Sequence, residues 1–448
     1  MDFLECVKSA GVVGAGGAGF PTHVKLNAKA EYFIVNAAEC EPLIETDKYL
    51  CRTFPDRIVQ AVSATAAQVG ASRAVIAIKA EYGAEIAALK EAVRVQGADV
   101  TFCEMPAFYP AGDEQVMVQL VTGRSIPERG LPLNVGAVVD NVGTMLNVAD
   151  ALEGKPVTDK FLSVTGAVAK PVVLRVPLGT NVRECTAAAD LAVGGDYAVL
   201  VGGPMMGRVL TDPKAIDGNV VTKTTGNLAI LPMDHYLVTR AVLSIENMKH
   251  QARSACVQCR MCTDMCPRHL IGHEVTPHQV MRNVWREENL PDEEYVRCFG
   301  SALNCCDCGL CEMFSCPMGL SPRRINGWFK QRFREKGLNK ERNMEPLAQR
   351  FLDLRRVPTS RLYARLGLGG WHGVHVREPH RSLAPQCVYV PFRQHIGKPA
   401  VPIVHVGDRV ERGALVASAQ EGVSANVHTG LAGLVQSIDE NGALIVAG

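Results

Sequence analysis

The run CVQCRMCTDMCP, residues 256–267, decides the reading of this chain, together with its counterpart CCDCGLCEMFSCP, residues 305–317. In the first, Cys256, Cys259, Cys262 and Cys266 are spaced C-x2-C-x2-C-x3-C, and Pro267 follows. In the second, Cys305, Cys308, Cys311 and Cys316 are spaced C-x2-C-x2-C-x4-C, and Pro317 follows. Three thiolates at intervals of three residues wrap a loop around one corner of a cubane after another. The fourth arrives from further away, and the proline turns the chain. This is the pattern of two [4Fe–4S] clusters, and in two-cluster ferredoxins the fourth cysteine of each run binds the other cluster. The expected sets are therefore Cys256, Cys259, Cys262 with Cys316, and Cys305, Cys308, Cys311 with Cys266. Structural zinc favours two separated C-x2-C knuckles, which fits neither run. The second run carries an extra residue before Cys316 and an extra Cys306, which leaves Cys305 and Cys306 as alternative ligands. Cys298 reads as a buried thiol.

The rest of the chain frames these runs. Its 448 residues are too many for one core and imply several domains. Ten of the 16 cysteines lie between Cys256 and Cys316, and clustering of this kind points to metal rather than disulfides. A net charge of +1 offers no global field toward nucleic acid or membrane. The N-terminal MDFLE has neither the basic nor the apolar region of a secretory signal, and no apolar run approaches a membrane span. A soluble, intracellular electron carrier is expected.

Five segments follow from patterning. Residues 1–153 alternate strand-like runs (31–36, 73–79, 99–105) with helical ones (56–70, 84–95), an α/β domain. Residues 156–235 are Val-rich runs between Gly/Pro turns, a small β-rich module in which Met205 and Met206 read as packing. Residues 248–321 hold the cysteines. Residues 322–385 form a basic helical linker; 322–366 alone carry 13 Lys/Arg against four Asp/Glu. They read as a solvated pair of helices, with docking of an acidic electron partner as the alternative. Residues 386–448 return to short strands.

The glycine loop GVVGAGGAGFPTHVKL (11–26) fits G-x-G-x-x-G at Gly14, Gly16 and Gly19, but a helical stretch precedes it and Pro21 follows at once. That is not a Rossmann turn. It is either a cradle of backbone N–H groups for a phosphate or a plain turn.

Three further stretches accompany it: NAAECEPLIETDKYL (36–50), YPAGDEQVMVQLVTGRSIP (109–127) and NVGAVVDNVGTMLNV (134–148). Together they resemble the flavin- and NADH-binding domain of the complex I flavoprotein subunit, and more closely the equivalent subunit of Rnf electron-transfer complexes. The resemblance implies FMN and NADH sites at Gly14, Gly16, Gly17, Gly19, Phe20, Lys25, Asn36, Glu39, Glu41, Tyr109, Gly112, Glu114, Asn141 and Thr144. Lys25 would balance phosphate or flavin charge, and Glu39 and Glu41 would meet ribose hydroxyls. Residues 156–235, with GGPMMG (202–207) and VTKTTGNLAILP (221–232), resemble the β-grasp module of that family. Residues 386–448 resemble a lipoyl-like barrel–sandwich hybrid. No lysine follows Lys398, and the expected hairpin reads NVHTGLA (426–432), so no lipoyl or biotinyl group is expected.

In Rnf subunits the barrel–sandwich segment precedes the flavin domain, whereas here it comes last. This order resembles the cobalamin reductases of bacterial propanediol-utilisation microcompartments. The resemblance implies an NADH-dependent oxidoreductase passing single electrons through two clusters to cobalamin. It further implies a cobalamin-handling adenosyltransferase or a microcompartment shell protein as partner, and a cytoplasmic, microcompartment location. A peripheral Rnf-type subunit and a non-catalytic electron relay are the alternatives.

Overall fold

A computed structural model describes residues 2–448. The first unit grows from four short strands, β1 (Tyr32–Asn36), β2 (Arg73–Lys79), β3 (Val100–Met105) and β4 (Ala137–Asn141). They pair in parallel in the order β3-β2-β1-β4. Parallel pairing needs crossovers, and helices Pro55–Val69 and Gly83–Gln96 supply them. Both helices stop on left-handed glycines, Gly70 and Gly97. The sheet is buried on both faces. Phe33, Val35, Ile76 and Ile78 enter one core, and Ile34, Val75, Ala77 and Val139 enter the other. Strand order reverses between β1 and β4, where Asn36 and Asn141 pair in register. In open α/β sheets a ligand crevice opens at that reversal, beyond the carboxyl ends of the strands.

The second unit is a mixed sheet of β5 (Asp159–Gly166), β6 (Val172–Pro177), β7 (Tyr197–Val201), β8 (Arg208–Leu210) and β9 (Asn227–Pro232). Arg381–Ser382, far away in sequence, adds a sixth strand beside β6. Met205 is buried as expected. Met206 is not; it stands half exposed, because the tight GGPMMG turn points it outward.

Four helices surround the cysteine loops: Ile245–Ala255, Pro277–Asn283, Asp292–Phe299 and Pro322–Lys336. The last corrects the expectation of a solvated helix pair over 322–366. Its Ile325, Phe329 and Phe333 are buried in the core beneath the cysteine loops, and Phe329 stacks on Phe299 with centroids 4.0 Å apart. Its basic residues divide: Arg334 and Lys336 are exposed, whereas Arg323, Arg324 and Lys330 are half-buried and donate to Met205 O, to Arg240 O and Leu243 O, and to Cys305 O. From there to residue 386 the chain is irregular except for short turns, the helix Thr359–Arg365 and two two-residue strands, Val357–Pro358, paired with Phe108–Tyr109, and Arg381–Ser382.

Residues 387–447 form two small antiparallel sheets around Val390, Val416, Val427, Val435 and Ile445. Among the described residues no helix is long and apolar enough to cross a membrane.

Candidate functional site

A cavity of about 1300 Å3 opens at the β1/β4 reversal. Its floor is the glycine loop, closed on itself by the Gly14 N–H donating to Phe20 O at 2.9 Å. Of the residues expected at the cofactor site, Gly14, Gly16, Gly17, Gly19, Phe20, Lys25, Asn36, Glu39, Glu41, Tyr109, Gly112, Glu114 and Asn141 all line this cavity. Thr144 does not. It is fully buried behind the loop, and its Oγ1 accepts the Ala15 N–H at 3.0 Å. Its place is to hold the loop from the first turn of the helix Val142–Leu152.

The loop glycines differ in what surrounds them. A Cβ on Gly16 would lie 2.8 Å from Asn141 Nδ2, whereas a Cβ on Gly17 would meet no protein atom within 4 Å. Of Gly14, Gly16, Gly17 and Gly19, only Gly19, at φ +71, takes a conformation that favours glycine. Gly16 and Gly17 are thus not conformational requirements, and the space above Gly17 belongs to the cavity.

The polar groups form a connected set. Asn36 Nδ2 donates to Gly112 O at 3.0 Å and its Oδ1 accepts from Ala38 N. Asn141 caps its helix through Gly143 N and donates to Asp47 Oδ2 at 2.7 Å. Asp47 N donates to Glu39 Oε2 at 2.7 Å. Burial first, then Asp47, raises Glu39 well above the usual carboxylate range. Burial also raises Asp47 and Glu114. Lys25 Nζ donates to Val139 O at 2.9 Å. Glu41 departs from its expected role. Its two oxygens accept the N–H groups of Met205 and Met206, at 2.7 and 3.0 Å, so it fastens the first unit to the GGPMMG turn. Burial pushes its pKa up to about 7, against the pull of those N–H groups and Arg323.

Three cavity residues gave no signal in the sequence. Asp47 lies between helix-forming neighbours. Asp140 precedes Asn141 in β4 and keeps Oδ2 buried without a partner. Lys160 comes from β5 of the second unit and reaches back to Ala15 O at 3.1 Å. An open cradle over Gly17, an unpaired acceptor on Asp140 and two lysine ammoniums fit a phosphorylated, hydroxylated cofactor such as FMN.

The cysteines fall into two groups by position. A surface cavity is lined by Cys256, Cys259, Cys262 and Cys316. Burial, and then the neighbouring thiols of Cys316, Cys256 and Cys259, push Cys262 up to about 12. In the second group burial raises Cys266, with Cys306 and Cys305 beside it, and raises Cys311, with Cys305 and Cys266 beside it. Each group thus joins three thiols of one run with the fourth of the other. Cys306 sits within the second group, hydrogen-bonded by Cys308, which lowers its pKa. The first group offers four thiols and the second, with Cys306, five, so each holds enough for the four-thiolate donor set of a [4Fe–4S] cluster.

The two centres and the cofactor cavity are contiguous. Cys308 lines that cavity, and its carbonyl accepts the Tyr109 hydroxyl. Asp113 caps the helix Glu114–Thr122 and pairs with Arg268 at 2.9 Å, tying the cavity wall to the cysteine segment. Cys311 is near enough to Cys262 for their charges to oppose, and Cys259 is exposed.

Comparison with known proteins agrees with this layout. Residues 7–150 match the Nuo51 FMN-binding domain, 255–321 a 4Fe-4S dicluster domain and 377–445 the RnfC barrel sandwich hybrid domain. An NAD+-reducing [NiFe]-hydrogenase structure aligns with a TM-score of 0.50 and 22% identity, covering 76% of this chain and 63% of that one, a likeness of fold alone. A component of the proton-translocating ferredoxin:NAD(+) oxidoreductase complex of Clostridium ljungdahlii is 32% identical, covering 60% of this chain and 56% of its own. Two relatives match nearly end to end. Cobalamin reductase PduS of Citrobacter freundii is 40% identical, covering 99% of this chain and 96% of its own length. That of Salmonella typhimurium is 42% identical, covering 100% and 97%. The chain belongs to the family of the cobalamin reductases PduS.

Proposed function

We propose that this chain is an NADH-dependent flavin/iron–sulfur oxidoreductase that reduces the cobalt of a cobalamin. The observation that carries the reading is Cys308, which belongs at once to the cofactor cavity and to the second group of thiols. End-to-end similarity to the PduS cobalamin reductases supports the acceptor. Bound FMN supplies the change from a two-electron donor to one-electron carriers, and bound clusters carry electrons singly.

The chain's own residues do the following. The 14–19 loop lets the cofactor approach the backbone closely. Lys25, Asn36, Asn141 and Glu114 orient it, and Thr144 keeps the loop in place. Cys305, Cys308, Cys311 and Cys266 would hold the cluster beside the cavity. Cys256, Cys259, Cys262 and Cys316 would hold the one at the surface. Tyr109 and the Asp113–Arg268 pair fix the cavity wall against the first of these. Cys259 is exposed, so a cluster bound there would have an edge open to an external acceptor. Cobalt reduction proceeds in one-electron steps, which suits this order. The adenosyltransferase and shell-protein partners, and residence in a microcompartment, extend the same kinship.

The test is anaerobic mixing of purified protein with NADH and cobalamin. Reduction of cobalt that disappears in Cys259→Ser, while NADH oxidation with a flavin-level dye persists, is expected. Dye reduction with cobalt reduction no faster than free reduced flavin gives would refute the acceptor. Similarity to the ferredoxin:NAD(+) oxidoreductase component favours a second reading, a peripheral part of a membrane complex; copurification with membranes would select it.

A further inference from the structure

Lys160 stands in β5, beyond residue 150 where the FMN-binding match ends. It lines the cofactor cavity yet is only 8% exposed. Its neighbours Asp159 and Phe161 also line the cavity, but Asp159 is taken up by Arg175 and Arg412, and Lys160 is the residue of β5 that hydrogen-bonds to the glycine loop. Its Nζ makes one hydrogen bond, to Ala15 O at 3.1 Å. An ammonium has three donors. Among the described residues no carboxylate lies within the 4.0 Å of an ion pair with it. The two carboxylates whose fields reach it, Asp47 and Glu39, are both shifted by burial toward their neutral forms. Burial pulls Lys160 itself down to about 8. A buried ammonium without a counter-ion is costly, and this one faces a cavity suited to an anionic cofactor.

We propose that the Lys160 ammonium, supplied by the second unit, binds an anionic group of the flavin. The inference rests on the flavin reading given above. Lys160 reaches the same glycine loop over whose Gly17 the cavity is open, so the group it would meet is the one that loop would cradle, the flavin. A flavin mononucleotide offers two anions, its phosphate and the N1–C2 edge of its reduced ring. The second unit then completes the cofactor site.

The experiment compares wild type, Lys160→Gln and Lys160→Arg as full-length, anaerobically purified protein. It measures the dissociation constants of FMN and riboflavin and the midpoint potential of the bound flavin, with iron and sulfide content as the check on folding. Glutamine can keep the hydrogen bond to Ala15 O while removing the charge. If Lys160 meets the phosphate, Lys160→Gln weakens FMN tenfold or more and leaves riboflavin unchanged. If it meets the ring, both flavins keep their affinity in the oxidised state and the potential falls. Lys160→Arg restores wild-type behaviour in either case. FMN affinity and potential both unchanged in Lys160→Gln would overturn the proposal. If Lys160→Gln fails to retain its clusters, Lys160→Met, of similar length, is read by the same outcomes. Wild-type protein with no flavin would overturn the flavin reading itself, whereas flavin bound with indifference to Lys160 overturns only this inference.

Discussion

Gly17 separates a cofactor cradle from a turn more cleanly than any other residue. Because a Cβ there meets no protein atom, Gly17→Val should fold with a melting temperature close to wild type. Its branched side chain would fill the space above the loop, so flavin stoichiometry should fall to near zero while iron content stays. Normal FMN content in a folded Gly17→Val protein would remove the loop from the site. Glu41 makes a different forecast. Its folded pKa of about 7 lies above the ordinary carboxylate value. The folded state therefore holds a proton more tightly than the unfolded one. The sign follows: this stabilisation is full below about pH 4.5 and is lost as pH rises through about 7. Glu41→Gln mimics the protonated form and should lack that trend. Melting curves of both proteins between pH 5 and 8 should show wild type losing ground to the variant. Parallel curves would mean that Glu41 stays charged throughout.

At the scale of elements, the helix Pro322–Lys336 serves as a support for the clusters. Phe329 is fully buried and stacked on Phe299. Phe329→Ala should cost about 3–5 kcal/mol, read as early loss of iron and sulfide on warming. An iron-loss profile equal to wild type would return this helix to the solvated role its basic residues suggest. Their charge hid the helix's place, because a narrow apolar stripe at Ile325, Phe329 and Phe333 is diluted by Arg and Lys on the remaining faces. The cysteine runs test the exchange of fourth ligands. Cys266 neighbours Cys305 and Cys306 rather than Cys262. Cys266→Ala should therefore alter the spectrum of the cluster beside the cavity and spare the surface one. Damage confined to the Cys256 centre would refute the exchange.

Across the whole molecule, what was legible in the sequence was whatever local spacing dictates. The two cysteine runs, three of the four parallel strands and the glycine loop each declare themselves within about 20 residues; β4 did not, because its short AVVDN run is followed directly by a helix. Asn36 and Asn141 were legible as motif members, but their meeting across the β1/β4 reversal is a matter of topology. Lys160 was not legible, since nothing in DKFLSVTG says which neighbour its strand will face. Nor was the reassignment of Glu41, which depends on backbone N–H groups some 160 residues away. These contacts make one path from three units: cavity, inner cluster, surface cluster. The most direct measurement of that path is an anaerobic NADH titration of the purified protein, followed by visible absorbance and by electron paramagnetic resonance after iron, sulfide and flavin assay. The account predicts one FMN with about eight iron and eight sulfide per chain, flavin bleaching on NADH addition, and reduced signals from both clusters. Zinc without sulfide, or clusters that stay oxidised once the flavin is reduced, would contradict it.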